Sequence, residues 1–342
     1  MTGHHPLRVG VVGTGGWGTS FWHNARQAPE VEMGACWDPR PEAAQRFAEK
    51  LGCDVAPSLD ALLGRSDIEA VTIFSPNSHH RAPAEQAAAA GKHVFTDKPI
   101  ANTIEDGAAM VRACRSADVT LMVGHSARYS GASRTIKSLL DENRLGTLAM
   151  AEGNISHSGG SRLGKDEWRW HRDEAPGGPL MQLSVHMFDT MHYLFGPTRR
   201  VTALSTSSLT TSEIEDVFLA LLEFESGLLA YVGTNYVAPP ISYLRVYGIA
   251  GNAYAEGGKL TLTTTPDEPW TTASEELPVP DINPHAAEMT EFARAVRAGA
   301  EPETGGREGL LALAVAWAAI VSAEQGRAVT VEEVLGEATS LL

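Results

Sequence analysis

Cysteine is scarce in this sequence. The 342 residues include three cysteines, Cys36, Cys53 and Cys114, and no two of them have the C-x-x-C spacing. A small, odd number of cysteines is typical of a reducing compartment and excludes a disulfide scaffold. Together with a start that leaves no room for a signal peptide before the first strand, this favours a cytoplasmic protein.

Positively charged residues and long apolar runs are also scarce. Lys and Arg number 27 against 42 Asp and Glu, which gives a formal net charge of −15. Nucleic acids and anionic membranes need a basic footprint, so neither is expected as a partner. Any bound phosphate must then be held by backbone N–H groups. The most apolar run, Leu310–Val321, is too short to span a bilayer and is interpreted as a buried helix.

The chain is long enough for two domains, and its patterning changes near residue 127. Before that point short apolar strands alternate with helices, which predicts an α/β Rossmann-type parallel sheet with helices on both faces. After it, successive strand-like runs without intervening helices predict an α+β domain with a mostly antiparallel sheet. We therefore predict a dinucleotide-binding domain over 1–126 and a second domain over 127–342.

A glycine-rich turn follows the first predicted strand. Gly13, Gly15 and Gly18 have the G-x-G-x-x-G spacing, which allows a tight turn, close approach of a pyrophosphate and tight helix packing. Asp38 ends the next strand, 20 positions after Gly18, where a carboxylate accepts hydrogen bonds from ribose hydroxyls and repels a 2′-phosphate. This predicts NAD rather than NADP, although Arg40 could pair with a 2′-phosphate, and a purely structural turn is the alternative. The remaining predicted contacts in the turn are Thr14, Gly16 and Trp17.

Polar residues follow three later strands of the first domain. The carboxyl ends of parallel strands share one edge of a sheet, which is where such sheets bind ligands. A proline that follows Lys98 fixes the backbone beside this lysine and directs it towards that edge. The predicted cofactor-binding residues at this edge are Ser75, Pro76, Asn77, His80, Asp97 and Lys98.

A predicted helix, Pro179–Phe195, carries the clearest candidate for acid–base chemistry. A glycine pair precedes it, and proline suits its first position because proline lacks the N–H that would be unpaired there. Gln182 and His186 lie one turn apart on a face distinct from the apolar stripe. His186, Asp189 and His192 are spread too far around the helix for one metal ion, so no metal is expected.

Taken together, these motifs resemble the Gfo/Idh/MocA family, typified by glucose–fructose oxidoreductase and inositol dehydrogenase. The resemblance extends over nearly the whole chain, and the motifs occur in the same order. The segments that carry it are the glycine turn, Ser75-Pro76-Asn77 with His80, Gly91 to Pro99, Val123-Gly124 with Arg128-Tyr129, Gly177-Gly178-Pro179 with His186 and Asp189, Val246-Tyr247-Gly248 with Gly251, and Asn283-Pro284 with Glu288 and Phe292.

The resemblance implies a Rossmann domain followed by a domain with a large, open-faced sheet, through which the family usually forms homodimers or homotetramers. It also implies that Lys98 and His186 flank the substrate hydroxyl during hydride transfer. Such a reaction needs a base of near-neutral pKa for the hydroxyl proton and a cation near the developing alkoxide. Gln182 is a third catalytic candidate, but the family commonly has Asp there, and an amide can only hydrogen-bond. Ser184 stands where a glycine is common.

A polar, aromatic loop precedes the glycine pair. Indole rings beside charged donors suit a sugar or cyclic polyol, although the tryptophans could equally be packing anchors. His285 is a further residue that could reach the substrate. The candidate substrate-binding residues are His125, Arg128, Tyr129, His157, Trp168, Arg169, Trp170 and Tyr236.

The predicted function is NAD-dependent oxidation of a secondary hydroxyl in a sugar, glycoside or inositol-like polyol. Two alternatives remain. One is a non-catalytic, dinucleotide-sensing regulator on the same fold, which the presence of Lys98 disfavours. The other is an enzyme with a different substrate, either a keto-sugar nucleotide that is reduced or a dihydrodiol that is oxidised; the arginines between 162 and 172 would fit a phosphate.

Overall fold

A computed structural model describes residues 5–265 and 270–342 of the chain. The chain forms two compact units. The first runs to Ser126 and adds Asn283–Leu310 and Ser340–Leu342; the second comprises Ala127–Ile282 and Leu311–Thr339. The change of unit at residue 127 lies where the sequence pattern changes. The structure differs from the sequence-based division in giving 283–310 to the first unit, because the helix over these residues packs on the first helix of the chain.

The first unit is built on a six-stranded, entirely parallel sheet with the order β3-β2-β1-β4-β5-β6. Its strands are β1 (Leu7–Val12), β2 (Val31–Trp37), β3 (Asp54–Val55), β4 (Ala70–Ile73), β5 (His93–Asp97) and β6 (Leu121–Gly124). The helices between them are α1 (Gly16–Ala25), α2 (Pro41–Leu51), α3 (Leu59–Leu63), α4 (Arg81–Ala89) and α5 (Ile104–Ser116). The predicted Rossmann-type fold is confirmed, and the two-residue strand β3 is an addition to it.

The second unit contains a nine-stranded sheet with the order β14-β13-β12-β11-β7-β10-β9-β8-β15, antiparallel except for the β7–β10 pair. Its strands are β7 (Leu148–Ser156), β8 (Thr198–Thr206), β9 (Val217–Phe224), β10 (Leu229–Asn235), β11 (Ile241–Gly248), β12 (Asn252–Glu256), β13 (Lys259–Thr264), β14 (Ala273–Leu277) and β15 (Val329–Thr330). The remaining helices are α6 (Gly131–Asp141), α7 (Val185–Phe195), α8 (Pro284–Ala298), α9 (Gly306–Gln325) and α10 (Val331–Leu335). The predicted large, mostly antiparallel sheet is thus confirmed.

One face of this large sheet is buried and the other is open. Along β9, Phe218, Ala220 and Leu222 are buried, whereas the intervening Leu219 and Leu221 are exposed. Successive side chains of a strand point to opposite faces, so this alternation separates a core face from an open one. The helix α7 packs on the same sheet and carries the candidate catalytic histidine.

Helix α9 is longer than the apolar run expected from the sequence. Its 20 residues are long and apolar enough to cross a membrane by length and composition, which corrects the estimate that the run is too short. However, 72 % of its most apolar 18-residue window is buried within the protein. Core helices of soluble proteins have the same property, so this single helix is weak evidence for a membrane span.

Candidate active site

The glycine turn of the first unit has the geometry that a dinucleotide needs. Gly13 has a φ of +87°, and a Cβ there would lie 2.7 Å from the backbone nitrogen of Ser75. A Cβ on Gly18 would lie 2.7 Å from the Gly13 carbonyl oxygen, whereas one on Gly15 would meet no described atom within 4 Å. The first and third glycines therefore serve packing, while the space at Gly15 is open. Helix α1 begins at Gly16 without a side-chain cap from any described residue, which leaves its N-terminus for phosphate.

Asp38 lies beside this turn and is held from two sides. Its Oδ2 accepts hydrogen bonds from the Thr14 backbone N–H at 2.8 Å and the Thr14 hydroxyl at 3.0 Å. Its Oδ1 accepts bonds from the backbone N–H and the Nε of Arg40, both at 3.0 Å. Burial favours the neutral carboxyl, but these hydrogen bonds outweigh it, so the pKa of Asp38 lies below its ordinary value. The carboxylate is thus charged and oriented beside the phosphate turn.

Two buried polar atoms near the carboxyl ends of β4 and β5 have no hydrogen-bond partner among residues 5–265 and 270–342. They are Nδ2 of Asn77 and Oγ1 of Thr96. Buried polar atoms are nearly always satisfied, so such atoms indicate a missing partner. Asn77 stands in the predicted cofactor loop, and an amide donor suits the ribose and carboxamide oxygens of a dinucleotide. The glycine turn, Asp38 and Asn77 together fit an NAD-type cofactor in the first unit.

His80, a predicted cofactor contact, links two loops of the first unit. Its ring is fully buried; Nε2 lies 2.9 Å from the Ser75 carbonyl oxygen, and Nδ1 lies 3.1 Å from that of Pro99. Burial lowers the pKa of His80. The charge of Asp97 and the hydrogen bonds to these carbonyls act in the opposite direction but do not outweigh burial. Both ring nitrogens therefore face backbone, and His80 fixes the loop of Ser75 against the segment that carries Lys98. Its predicted contact with the cofactor stays a prediction.

His285, at the start of α8, joins the same unit. Its ring packs edge-on against Trp17 at 5.6 Å and against Phe21 at 5.0 Å between centroids. Burial lowers the pKa of His285, and the charge of Asp97 opposes that change. The return of the chain into the first unit thus places a histidine beside the glycine turn, some 270 residues away in sequence (285 − 17 = 268). Sequence spacing gave no signal for this contact.

In the second unit the glycine pair and helix α7 shape the surroundings of His186. Gly177 and Gly178 have φ values of +70° and +43°, and a Cβ on Gly178 would lie 2.4 Å from the carbonyl oxygen of Glu215. The segment Leu180–Ser184 is a π-helical turn that leads into α7. Such turns are frequent at functional sites. This turn carries the buried Gln182 one turn before His186.

A buried ion pair anchors α7 one turn after His186. Arg128 donates from Nε at 2.8 Å and from a terminal nitrogen at 2.6 Å to the two carboxylate oxygens of Asp189. Both side chains are buried, and the guanidinium also lies 5.3 Å above the Tyr193 ring. Arg128 therefore has a structural role in this unit. Its substrate contact, like those of the buried His125 and Tyr129, stays a prediction.

The loop predicted to bind substrate packs on the same region. Arg169 lies with its guanidinium carbon 4.4 Å above the Trp168 ring, and its Nε is 3.5 Å from Oε1 of Gln182. The rings of His157 and Tyr236 stack at 5.1 Å. Trp170 is buried, and its backbone carbonyl accepts a hydrogen bond from the backbone N–H of Glu213, as expected of a packing anchor. The structure thus brings Arg169 to Gln182 and stacks it on Trp168, whereas Trp170 supports the loop.

A cavity of about 770 Å³ opens beside His186 within the second unit. Helix α6, the ends of β7 and β11 and the turn between β12 and β13 surround it, and His157 also lines it. A volume of this order is typical of small-molecule sites. Sequence analysis did not find this cavity, because its walls come from segments about 100 residues apart.

Comparison with known proteins agrees with this arrangement. A sequence model of the Gfo/Idh/MocA oxidoreductase family, NAD-binding Rossmann fold, matches residues 7–125, and that of the family's C-terminal alpha/beta domain matches residues 137–331. The chain is 27 % identical to a myo-inositol 2-dehydrogenase of Thermotoga maritima over 96 % of this chain and 100 % of that protein. It is 26 % identical to a 1,5-anhydro-D-fructose reductase of Ensifer adhaerens over 95 % and 98 %.

A crystal structure of a candidate NADPH-dependent oxidoreductase from Desulfitobacterium hafniense superposes with a TM-score of 0.93, at 29 % identity, over 97 % of this chain and 100 % of that one. The two family models together account for most of the chain, and the relatives are oxidoreductases of sugars and polyols. The chain belongs to the Gfo/Idh/MocA family of oxidoreductases.

Proposed function

We propose that this protein oxidises a secondary hydroxyl of a sugar, glycoside or cyclic polyol, with NAD as the hydride acceptor. The observation that carries the proposal is that each unit contains a preformed site. The first unit offers a glycine cradle with a charged Asp38 beside it. The second presents Gln182 and His186 on successive turns next to an aromatic loop and a cavity. Relatives named for myo-inositol and for an anhydro-fructose support the substrate class.

The chemistry needs two protein groups besides the cofactor. The nicotinamide, when bound, supplies the hydride acceptor. In the proposed reaction His186 removes the hydroxyl proton, because an imidazole has the near-neutral pKa that such a base requires. The ammonium group of Lys98 stabilises the negative charge that develops on the oxygen. Gln182 orients the substrate by hydrogen bonds and does not take a proton.

NAD is proposed over NADP because of Asp38. A carboxylate accepts bonds from two ribose hydroxyls but repels a 2′-phosphate. Asp38 already pairs with Arg40, whose charge would otherwise attract that phosphate. One solved relative is described as NADPH-dependent, so activity should be measured with both NAD and NADP.

The direct test is a panel of sugars, glycosides and inositols with NAD, followed by the absorbance of NADH. We expect kcat/KM to fall by roughly 10²- to 10⁴-fold in Lys98→Ala and in His186→Ala, which is the usual effect of losing a general acid–base group. His186→Ala should still bind NADH, as measured by fluorescence. His23→Ala and Lys50→Ala change exposed side chains of α1 and α2 and are the matched controls. Turnover that survives in both active-site variants, or its absence across the whole panel, would refute the proposal.

We further propose that the protein is cytoplasmic and that it forms a homodimer or homotetramer through the open face of its large sheet. The exposed leucines on that face support this assembly.

A further inference from the structure

We propose that the substrate carries a carboxylate close to the hydroxyl that is oxidised, and that Arg169 binds this carboxylate. The substrate would then be a sugar acid, such as a uronate or an aldonate, rather than a neutral sugar. This inference rests on the proposed function, since it names the substrate class of the same site.

Arg169 is held in a way that leaves its hydrogen-bonding edge available. One face of its guanidinium lies 4.4 Å above the indole of Trp168. Its contact with Gln182, at 3.5 Å, is at the outer limit of a hydrogen bond. Within residues 5–265 and 270–342 no carboxylate forms an ion pair with it. Since a stacked guanidinium still has donors in its own plane, Arg169 can bind a carboxylate through two parallel bonds.

The other cationic groups nearby are arranged differently. Arg172, three residues further on, pairs with Glu215 at 2.8 Å, and His171 contacts Glu213 at 3.3 Å. The buried Arg128 is neutralised by Asp189. Arg169 is half-buried, yet its polar neighbour is an uncharged amide. A half-buried guanidinium that has an uncharged neighbour and no counter-ion among the described residues is a favourable place for a negatively charged ligand group.

The contact with Gln182 connects Arg169 with the proposed catalytic residue His186. Gln182 stands one turn before His186 on the same helical segment, so a group held by Arg169 lies near the proposed base. The amide accepts a bond from the guanidinium without cancelling its charge. A carboxylate at position 182 would form an ion pair with Arg169 and remove the preference for an anion. The pairing of Gln182 with Arg169 therefore fits an acidic substrate.

A carboxylate fits this site better than a phosphate. Arg169 supplies one positive charge, and one guanidinium matches a single carboxylate in shape and in charge. A phosphate monoester carries close to two negative charges and is usually bound by several donors or a helix N-terminus. The net charge of −15 gives no further positive field to hold a dianion. We therefore assign the ligand group as a carboxylate and leave the phosphate to the test.

The test compares matched substrates on the full-length protein with NAD: D-glucose with D-glucuronate, D-galactose with D-galacturonate, and D-glucose 6-phosphate as the phosphate probe. We expect kcat/KM for the uronate to exceed that for the neutral sugar by at least tenfold. Arg169→Gln should lower this ratio by roughly 10- to 100-fold, because it removes a bidentate charged bond. Gln182→Glu should lower it as well, by neutralising Arg169. Arg162→Gln, an exposed arginine of the same loop, should leave the ratio unchanged.

Equal ratios in the wild type and in Arg169→Gln would overturn the proposal, and so would a preference for D-glucose 6-phosphate over D-glucuronate. Oxidation of neutral sugars with no preference for acids overturns this inference but leaves the proposed function standing. If no sugar of either class is oxidised, the proposed function fails. Calorimetric binding of D-glucuronate and D-glucose then decides the inference separately: it stands if the acid binds more tightly and Arg169→Gln abolishes the difference, and it fails otherwise.

Discussion

At the scale of single residues, Asp38 shows what sequence spacing can and cannot give. Its position after the second strand predicted a contact with ribose, and the structure places it against the glycine turn, where Thr14 binds it. Sequence spacing did not predict the hydrogen bond from Arg40 to Asp38, because the spacing argument considered Arg40 only as a possible partner of a 2′-phosphate. In the structure the two side chains are partners, with Asp38 buried and Arg40 68 % exposed. We therefore expect the choice between NAD and NADP to depend on this pair.

Replacing Asp38 should change the preferred dinucleotide. In Asp38→Ala the ribose loses a charged acceptor, worth about 1.5–3 kcal/mol, so KM for NAD should rise at least tenfold. The same change releases Arg40, so kcat/KM with NADP should rise. Arg40→Ala is the matched control: it should retain NAD and reduce any use of NADP. Initial rates with both cofactors measure this, and an unchanged NAD-to-NADP ratio in both variants would contradict the assignment.

Arg169 and Gln182 mark the opposite case. Both were candidates from sequence, one as a substrate contact and the other as a catalytic residue. Their contact joins an irregular loop to a helix 13 positions later, and no periodicity relates the two. Loop conformations depend on packing that local sequence does not encode, so the pairing emerged only from the structure.

At the scale of elements, helix α7 was predicted well, but its entry was not. The apolar stripe, the leading proline and the glycine pair predicted a helix over 179–195, and the structure has one. Its first turn is π-helical, and it follows two glycines with positive φ values, where a Cβ on Gly178 would meet the Glu215 carbonyl. That carbonyl is remote in sequence. Strands β12, β14 and β15 are short or exposed, so a local apolar pattern does not identify them, and neighbouring strands define them.

The buried ion pair between Arg128 and Asp189 should contribute strongly to the stability of the protein. Asp189→Asn leaves the charge of Arg128 buried without a counter-ion, which typically costs about 3–5 kcal/mol. The urea midpoint of unfolding should fall accordingly. Asp141→Asn, which breaks the exposed pair with Lys137, should cost under about 1 kcal/mol. Combining Arg128→Met with Asp189→Leu should cost less than Asp189→Asn alone. Equal midpoints for Asp189→Asn and Asp141→Asn would show that the pair has no special role.

At the scale of the whole molecule, the path of the chain was the least predictable feature. Helix α8 lies after residue 127, so the sequence-based division assigned it to the second domain. In the structure it belongs to the first unit. The ring centroids of Phe292 and Phe95 lie 5.9 Å apart, and the side-chain amide of Asn283 donates a hydrogen bond to the backbone carbonyl of Asn24 in α1. A helical pattern identifies an apolar face but not the surface that covers it. The contiguous division at residue 127 therefore could not anticipate this return.

The open face of the large sheet carries the last prediction. Leu204, Leu219, Leu221 and Leu229 lie on neighbouring strands and are 70 %, 56 %, 61 % and 59 % exposed. A contiguous apolar patch on a sheet favours burial against a second copy of itself, related by a twofold axis. Light scattering after gel filtration should give a dimer or tetramer, and Leu219→Lys with Leu221→Lys should give a monomer. Leu209→Lys, an equally exposed leucine outside the strands, should keep the wild-type mass. A monomeric wild type, or a double variant that stays assembled, would show that this face is not the interface.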